Sequence, residues 1–384
     1  MLCGKICGRG RLYFGGGAPN FRPVTGNRKT RVVVGLSGGV DSSTAAALLL
    51  EQGYEVVGIT LKLWPQDCLA RAEDKCCGPQ AVADARAVCH RLGIPFYLMD
   101  EAEEFKQQVI RYFAEEYKAG RTPNPCVMCN DKLKFGTLLS LARKLGAEYV
   151  ATGHYARIER DPASGRHLLK RGRDPRRDQS YFLFSLRQEQ LARSLFPLGD
   201  LCKTETRAAA RERALKTADK EESMEICFVP DNDYGAFLQK SGLVAPHRGE
   251  IVDRAGRVLG YHEGIEFYTI GQRRGLRLAA SRPWYVVDLD PTRNRVVVGE
   301  AADLACAEFR VERCNWIPWA APPATLEVTA KIRYNHPGTP ATVTPQPDGG
   351  ARVQLHTPQR AVTPGQACVF YDGDTVVGGG WIAR

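Results

Sequence analysis

Three cysteines stand in surroundings suited to sulfur chemistry. TPNPCVMCN sets Cys126 and Cys129 in a Cys-x-x-Cys spacing behind two prolines that fix the shape of the loop, and Cys227 lies in SMEICFV. A thiolate is both a nucleophile and a metal ligand, so the pair reads either as group transfer or as half of a structural zinc site. A zinc site needs a second close pair, and only the adjacent Cys76 and Cys77 offer one. A second stretch, SGGVDSS from Ser37 to Ser43, follows an apolar strand and opens a helix. There a phosphate meets free backbone amides and the positive end of the helix. Gly38 and Gly39 let the backbone approach closely, the serine hydroxyls donate to phosphate oxygens, and Asp41 is placed to hold Mg²⁺. No lysine follows the glycines, so this is not the GxxxxGK loop of ordinary NTPases.

The elements that must hold these residues alternate. The apolar run Val32 to Leu36 leads to a helix from Ser42 to Gln52 closed by Gly53, then to the strand-like YEVVGITL. A helix from Ala81 to Leu92 stops at Gly93 and feeds IPFYLM; another from Lys132 to Leu145 stops at Gly146 and feeds EYVAT. Helices joining apolar strands predict an α/β fold with a doubly wound parallel sheet. Beyond about Met224 the pattern changes to short β-branched runs broken by Gly, Pro and Asp-Gly: GEIVDRAGRVLG and WYVVDLDPTRNRVVVG each read as strand, turn, strand. From about Leu326 the evenly spaced strands are those of a small barrel.

Length and charge bound the rest. A chain of 384 residues predicts two or three domains, with no apolar stretch long enough to cross a bilayer. The net charge of +10 is concentrated at the start, where Lys5, Arg9, Arg11, Arg22, Arg28 and Lys29 stand without an acid. That Gly- and Arg-rich segment, 1–30, reads as a disordered basic extension, a transit peptide being the other reading of so basic a start. Thirteen irregularly spaced cysteines fit a reducing compartment, the cytoplasm, better than a disulfide scaffold. The basic run RHLLKRGRDPRR, Arg166 to Arg177, is a candidate clamp on a nucleic-acid backbone.

The serine-glycine loop resembles the PP-loop of ATP pyrophosphatases, which cleave ATP to AMP and pyrophosphate while activating a carbonyl oxygen. From Arg31 onward nearly the whole chain resembles one family, the tRNA-specific 2-thiouridylases. GLSGGVDSS, GRTPNPxxxCN, ATGHYAR, DQSYFL, EICF and YTIGQRRGL at Tyr268 to Leu276 occur in this order. The resemblance implies a PP-loop catalytic domain over 31–225, a central tRNA-binding domain over 226–295 and a C-terminal β-barrel over 296–384. It implies an ATP site at Gly35, Leu36, Ser37, Gly38, Gly39, Val40, Asp41 and Ser42, with Leu61 and Gly153. Asn124, Pro125 and Cys126 would lie against the target base; His154, Arg177, Asp178, Gln179, Arg333, Tyr334 and Gln366 would contact tRNA. Cys129 would be the nucleophile and Cys227 the persulfide carrier, loaded by a sulfur-donor protein.

That assignment suits the chemistry. The C2 carbonyl of uridine is a poor electrophile until its oxygen is adenylated and can leave as AMP, after which persulfide sulfur can attack. The base must be splayed from a single-stranded loop, in the family the anticodon loop, to reach such a pocket. Two other classes share features with the chain: a PP-loop enzyme acting on a small molecule, and a zinc-stabilised RNA-binding protein. One position departs from the family, many of whose members carry Asp where Cys126 stands. A third thiolate beside Cys129 and Cys227 would suffice for a [4Fe-4S] cluster with one open iron; the alternative is that Cys126 merely fills the position.

Overall fold

The computed structural model describes residues 29–63, 78–221, 226–229, 233–279 and 282–383. The basic extension before Lys29, together with Cys76 and Cys77, lies outside them.

Strand β1 (Arg31–Gly35) turns through the SGGVDSS loop into helix α1 (Val40–Glu51), and β2 (Glu55–Lys62) returns alongside β1. Helix α2 (Pro79–Leu92) ends at Gly93, whose φ of 67° is the left-handed cap glycine supplies, and leads to β3 (Phe96–Asp100). With β4 (Tyr149–Ala151) and β7 (Ser194–Leu195) these strands form a parallel sheet in the order β3-β2-β1-β4-β7. Val32 and Val34 pack into one apolar cluster and Val33 into another, so both faces of β1 are buried, as a doubly wound sheet requires. Chain order reverses between β1 and β4, where such sheets open a crevice at the carboxyl ends of the strands.

The helix expected from Lys132 starts earlier. It runs from Pro125 through α-helical, π-helical and again α-helical turns to Lys144 (Pro125–Met128, Cys129–Thr137, Leu138–Lys144). Asn124 caps it by accepting from the Val127 amide, and Pro125 takes the first position, where a missing N–H costs nothing.

The β-rich half matches the expected hairpins. β8 (Gly249–Asp253), β9 (Val258–His262), β10 (Tyr285–Asp290) and β11 (Arg295–Gly299) form one small sheet. β12 (Ala305–Trp316), β13 (Leu326–Lys331), β14 (Thr339–Pro345), β15 (Ala351–Arg360), β16 (Ala367–Asp372) and β17 (Thr375–Ile382) close into a barrel, because β12 pairs with both β15 and β17. The hairpin β5 (Ala156–Arg160) and β6 (His167–Arg171), from the first half of the chain, adds to this sheet through Lys170 and Leu169 opposite Thr375 and Val376.

Candidate active site

The turn after β1 is held open by its own hydroxyls. The Ser37 amide donates to Ser42 Oγ at 3.1 Å, and Ser43 Oγ donates to the Gly39 carbonyl at 2.8 Å. No side chain caps α1, so its first-turn amides face the crevice, the arrangement that receives a phosphate. Gly38 has φ 69°, and a Cβ there would lie 2.2 Å from the Ala81 carbonyl oxygen. Gly153, just past β4, explains its own identity: a Cβ there would lie 2.6 Å from the Ser42 amide nitrogen and 2.9 Å from Asp41 Cβ. Gly35 ends β1, and Leu61 is a core residue near the end of β2.

Asp41, expected at Mg²⁺, has three donated hydrogen bonds from the protein. Lys203 Nζ donates to both its carboxylate oxygens, at 2.7 and 2.8 Å, and the Tyr155 hydroxyl donates to one of them at 2.8 Å while lying 2.9 Å from Thr206 Oγ1. Lys203 is 8 % exposed, at the start of the helix Lys203–Glu212. Lys220 Nζ meanwhile donates to the Gly38 carbonyl at 3.2 Å and to Asp84 at 2.6 Å. The lysines missing from the loop's sequence thus reach it from a distant part of the chain, and the sequence carried no signal for them.

Cys129 and Cys227 both pack, partly buried, against the cluster that contains Phe105, Phe113, Leu133 and Phe228, and Leu61 of the expected ATP site belongs to the same cluster. Phe228, next to Cys227, meets Phe105 and Phe113 edge-on at 5.7 and 5.1 Å. Cys126 and Cys129 are three residues apart on one helical stretch, hence neighbours on its surface. Asn130, which follows Cys129, is buried and donates to the Phe182 carbonyl, while its Oδ1 has no protein partner. Among the described residues no group of three or more His, Cys, Asp or Glu side chains converges to hold a metal ion. The zinc reading turns on Cys76 and Cys77, which lie outside the described residues.

The residues expected to meet tRNA divide. His154 is buried between Phe135 and Phe196, with Nδ1 2.7 Å from Thr152 Oγ1; burial, with Lys134 adding to it, holds its pKa well below the ordinary imidazole value. Asp178 is buried and accepts from the Gly172 and Ser180 amides. Gln179 accepts from the Tyr155 amide, and Arg177 is half-buried with its amide donating to the Asp174 carbonyl. All three thus make hydrogen bonds within the fold. Gln366 spends its amide on the carbonyls of Thr122 and Pro123, at 3.0 and 3.3 Å. Arg333 is exposed, and the Tyr334 ring lies 4.4 Å from that of Phe182.

Much of the basic run Arg166 to Arg177 is also spent internally. Lys170 pairs with Glu159 at 2.8 Å, Arg173 pairs with Glu205, and Arg171 lies 3.6 Å over the Tyr371 ring. Asn124 and Pro125 are buried at the start of the helix that carries Cys126 and Cys129.

A parallel-sheet domain followed by a small β domain and a closed barrel is also what family models find in this chain. They match a tRNA methyl transferase HUP domain at residues 30–231, a tRNA methyl transferase PRC-barrel domain at 235–300 and an aminomethyltransferase β-barrel domain at 306–382. The chain belongs to the tRNA-specific 2-thiouridylase family, a family of sulfurtransferases. It is 52 % identical over 351 residues to tRNA-specific 2-thiouridylase MnmA of Moorella thermoacetica, covering 91 % of this chain and 98 % of that relative. It is 51 % identical to the MnmA of Heliobacterium modesticaldum, over 93 % of each chain, and 51 % identical to that of Geobacter metallireducens, over 94 % of this chain and 98 % of the relative. Likeness to solved structures is weak, as with a 4-thiouridine synthetase–RNA complex at TM-score 0.35 and 18 % identity, covering 55 % of this chain and 50 % of the other.

Proposed function

We propose that this protein is a cytoplasmic enzyme that uses ATP to replace the C2 oxygen of the wobble uridine of tRNA with sulfur. The observation that carries the reading is the convergence of Cys129 and Cys227 on one apolar cluster that also includes Leu61, near the carboxyl end of β2. ATP binds with its phosphates at the amides opening α1, between the loop Ser37 to Ser42 and Gly153. Lys203 keeps Asp41 from repelling them, supplying from the helix Lys203–Glu212 the cation that a GxxxxGK loop would carry itself. Mg²⁺ at Asp41 would first have to displace Lys203.

The uridine oxygen attacks the α-phosphate and pyrophosphate leaves. A persulfide on Cys227, loaded by a sulfur-donor protein, attacks C2 with its terminal sulfur, and AMP departs with the former carbonyl oxygen. The Cys129 thiolate then attacks Cys227 Sγ, cleaving the sulfur–sulfur bond. The base keeps its sulfur, a Cys129–Cys227 disulfide forms, and an external thiol reductant restores the pair. In this reading the partly exposed Cys126, a turn before Cys129, fills its place on the helix as a small side chain.

Purified full chain given ATP, an unmodified tRNA transcript, a persulfide donor and reductant is expected to yield 2-thiouridine and AMP in equal amounts, with both requiring the tRNA. Cys227→Ser is expected to abolish 2-thiouridine while still binding tRNA. AMP release that ignores tRNA, or full thiolation by Cys227→Ser, would defeat the proposal.

A further inference from the structure

Lys220 lies shortly before Cys227 in the chain and has no part in the chemistry above, yet its side chain joins two distant elements. Its ammonium donates to the Gly38 carbonyl of the phosphate turn at 3.2 Å and to Asp84 of α2 at 2.6 Å. The backbone beneath it is held as well. Arg207, in the helix Lys203–Glu212, donates to the carbonyls of Ala218 at 2.7 Å and Lys220 at 3.1 Å. Leu215 and Ala218 are buried against Val40, Ala47, Val88 and Ala210, which fastens this stretch onto α1, α2 and that helix.

The two lysines at the turn are placed differently. Lys203 reaches Asp41, the residue that a Cβ at Gly153 would strike past β4. Lys220 stands on the α2 side, where Gly38 abuts Ala81 and where Asp84 belongs to the same helix. There it bonds a carbonyl of the turn, whereas the turn's amides are what receive a phosphate, and its charge is already matched by the half-buried Asp84. This is the geometry of a tie and not of a phosphate ligand. Just past Cys227, Phe228 is fixed by its edge-on contacts with Phe105 and Phe113. Cys227 is thus held between an anchor on the nucleotide loop and an anchor in the cluster that Cys129 also meets.

Resting on the sulfur-transfer reading above, we propose that Lys220 is a positioning residue for that step. It registers the stretch of chain that leads to the persulfide against the loop that holds the nucleotide, so that the sulfur on Cys227 meets C2 while the adenylate is in place. Without the tie, adenylation continues and sulfur transfer falls behind. Water then attacks C2 instead, AMP leaves with the former carbonyl oxygen, and uridine is restored.

The test compares 2-thiouridine with AMP when the full chain, already carrying persulfide on Cys227, is given ATP and an unmodified tRNA transcript. The wild type should form the two in equal amounts. Lys220→Met keeps the aliphatic stem and removes the donor. Its ratio of 2-thiouridine to AMP is expected to fall by about tenfold or more, since a misplacement of about 1 Å slows a reaction on the order of 10²-fold. Lys220→Arg, which keeps a cation for Asp84 and a donor for Gly38, should recover most of the ratio. Asp84→Ala, which leaves Lys220 in place but loosens it, should lower the ratio several-fold and gives the same reading if Lys220→Met folds poorly. An unchanged ratio in both Lys220→Met and Asp84→Ala, or a fall of 2-thiouridine and AMP by one common factor, overturns the tie while leaving the enzyme's function standing. A wild type that forms no 2-thiouridine overturns both.

Discussion

Lys203 stands 162 residues from Asp41 in sequence and 2.7 Å from it in space, and that separation marks the limit of what single residues disclosed. Ser37, Gly38 and Gly39 were legible because the loop's function depends on neighbours in sequence: a turn, an open helix end and close backbone approach. The electrostatic half of the site was not, since a lysine in DLCKTETR looks like any solvent-facing helix residue until the fold buries it. Gln366 and Asp178, polar residues expected at an RNA surface, also hold backbone groups in place. Lys203→Met keeps the aliphatic stem and removes the charge. It is expected to cut tRNA-dependent AMP formation by about 10²-fold, the scale of losing one preorganised donor. Binding of tRNA should be nearly unchanged. AMP formation within a factor of a few of wild type would remove Lys203 from the nucleotide site.

Element boundaries followed from local chemistry, and element partners did not. Gly93 and Gly146, both at φ 67°, end helices where the sequence placed the breaks, because a left-handed cap is a property of one residue. The hairpin β5–β6 was not assigned to the barrel, since alternation specifies a strand's faces but not which distant edge it joins. Strand β4 runs into Thr152, Gly153 and His154, the glycine serving the loop and the histidine the core. Burial depresses the His154 pKa below its ordinary 6.5, so the native ring stays neutral where the unfolded one takes up a proton. The unfolded state binds more protons below that value, so the stability is complete above about pH 6.5 and is lost as pH falls through it. The slope approaches about 1.4 kcal/mol per pH unit for such a group. His154→Gln is expected to flatten the fall of the urea midpoint between about pH 6.5 and 5. An unchanged pH profile would contradict a neutral buried ring; burial also lowers His167, His262 and His336, which should retain part of the slope in the variant.

At the scale of the molecule, a parallel sheet sets the phosphate turn, one apolar cluster gathers the two cysteines, and the β-rich half grips the loop before them through Thr269 and Gln366. The order of sheet, hairpins and barrel was readable from changes in hydrophobic period. How they join was not, because Thr122, Thr269 and Pro364 share no pattern in sequence. The proposed chemistry depends on sulfur passing through Cys227 to the base. The most direct measurement loads the chain with labelled persulfide, removes the donor, adds ATP and tRNA without reductant, and follows a single turnover by peptide and nucleoside mass spectrometry. The labelled sulfur should begin on the Cys227 peptide and move to uridine, with AMP released and a Cys129–Cys227 disulfide left behind. Label reaching uridine in Cys227→Ser, or a turnover that leaves both cysteines reduced, would contradict it.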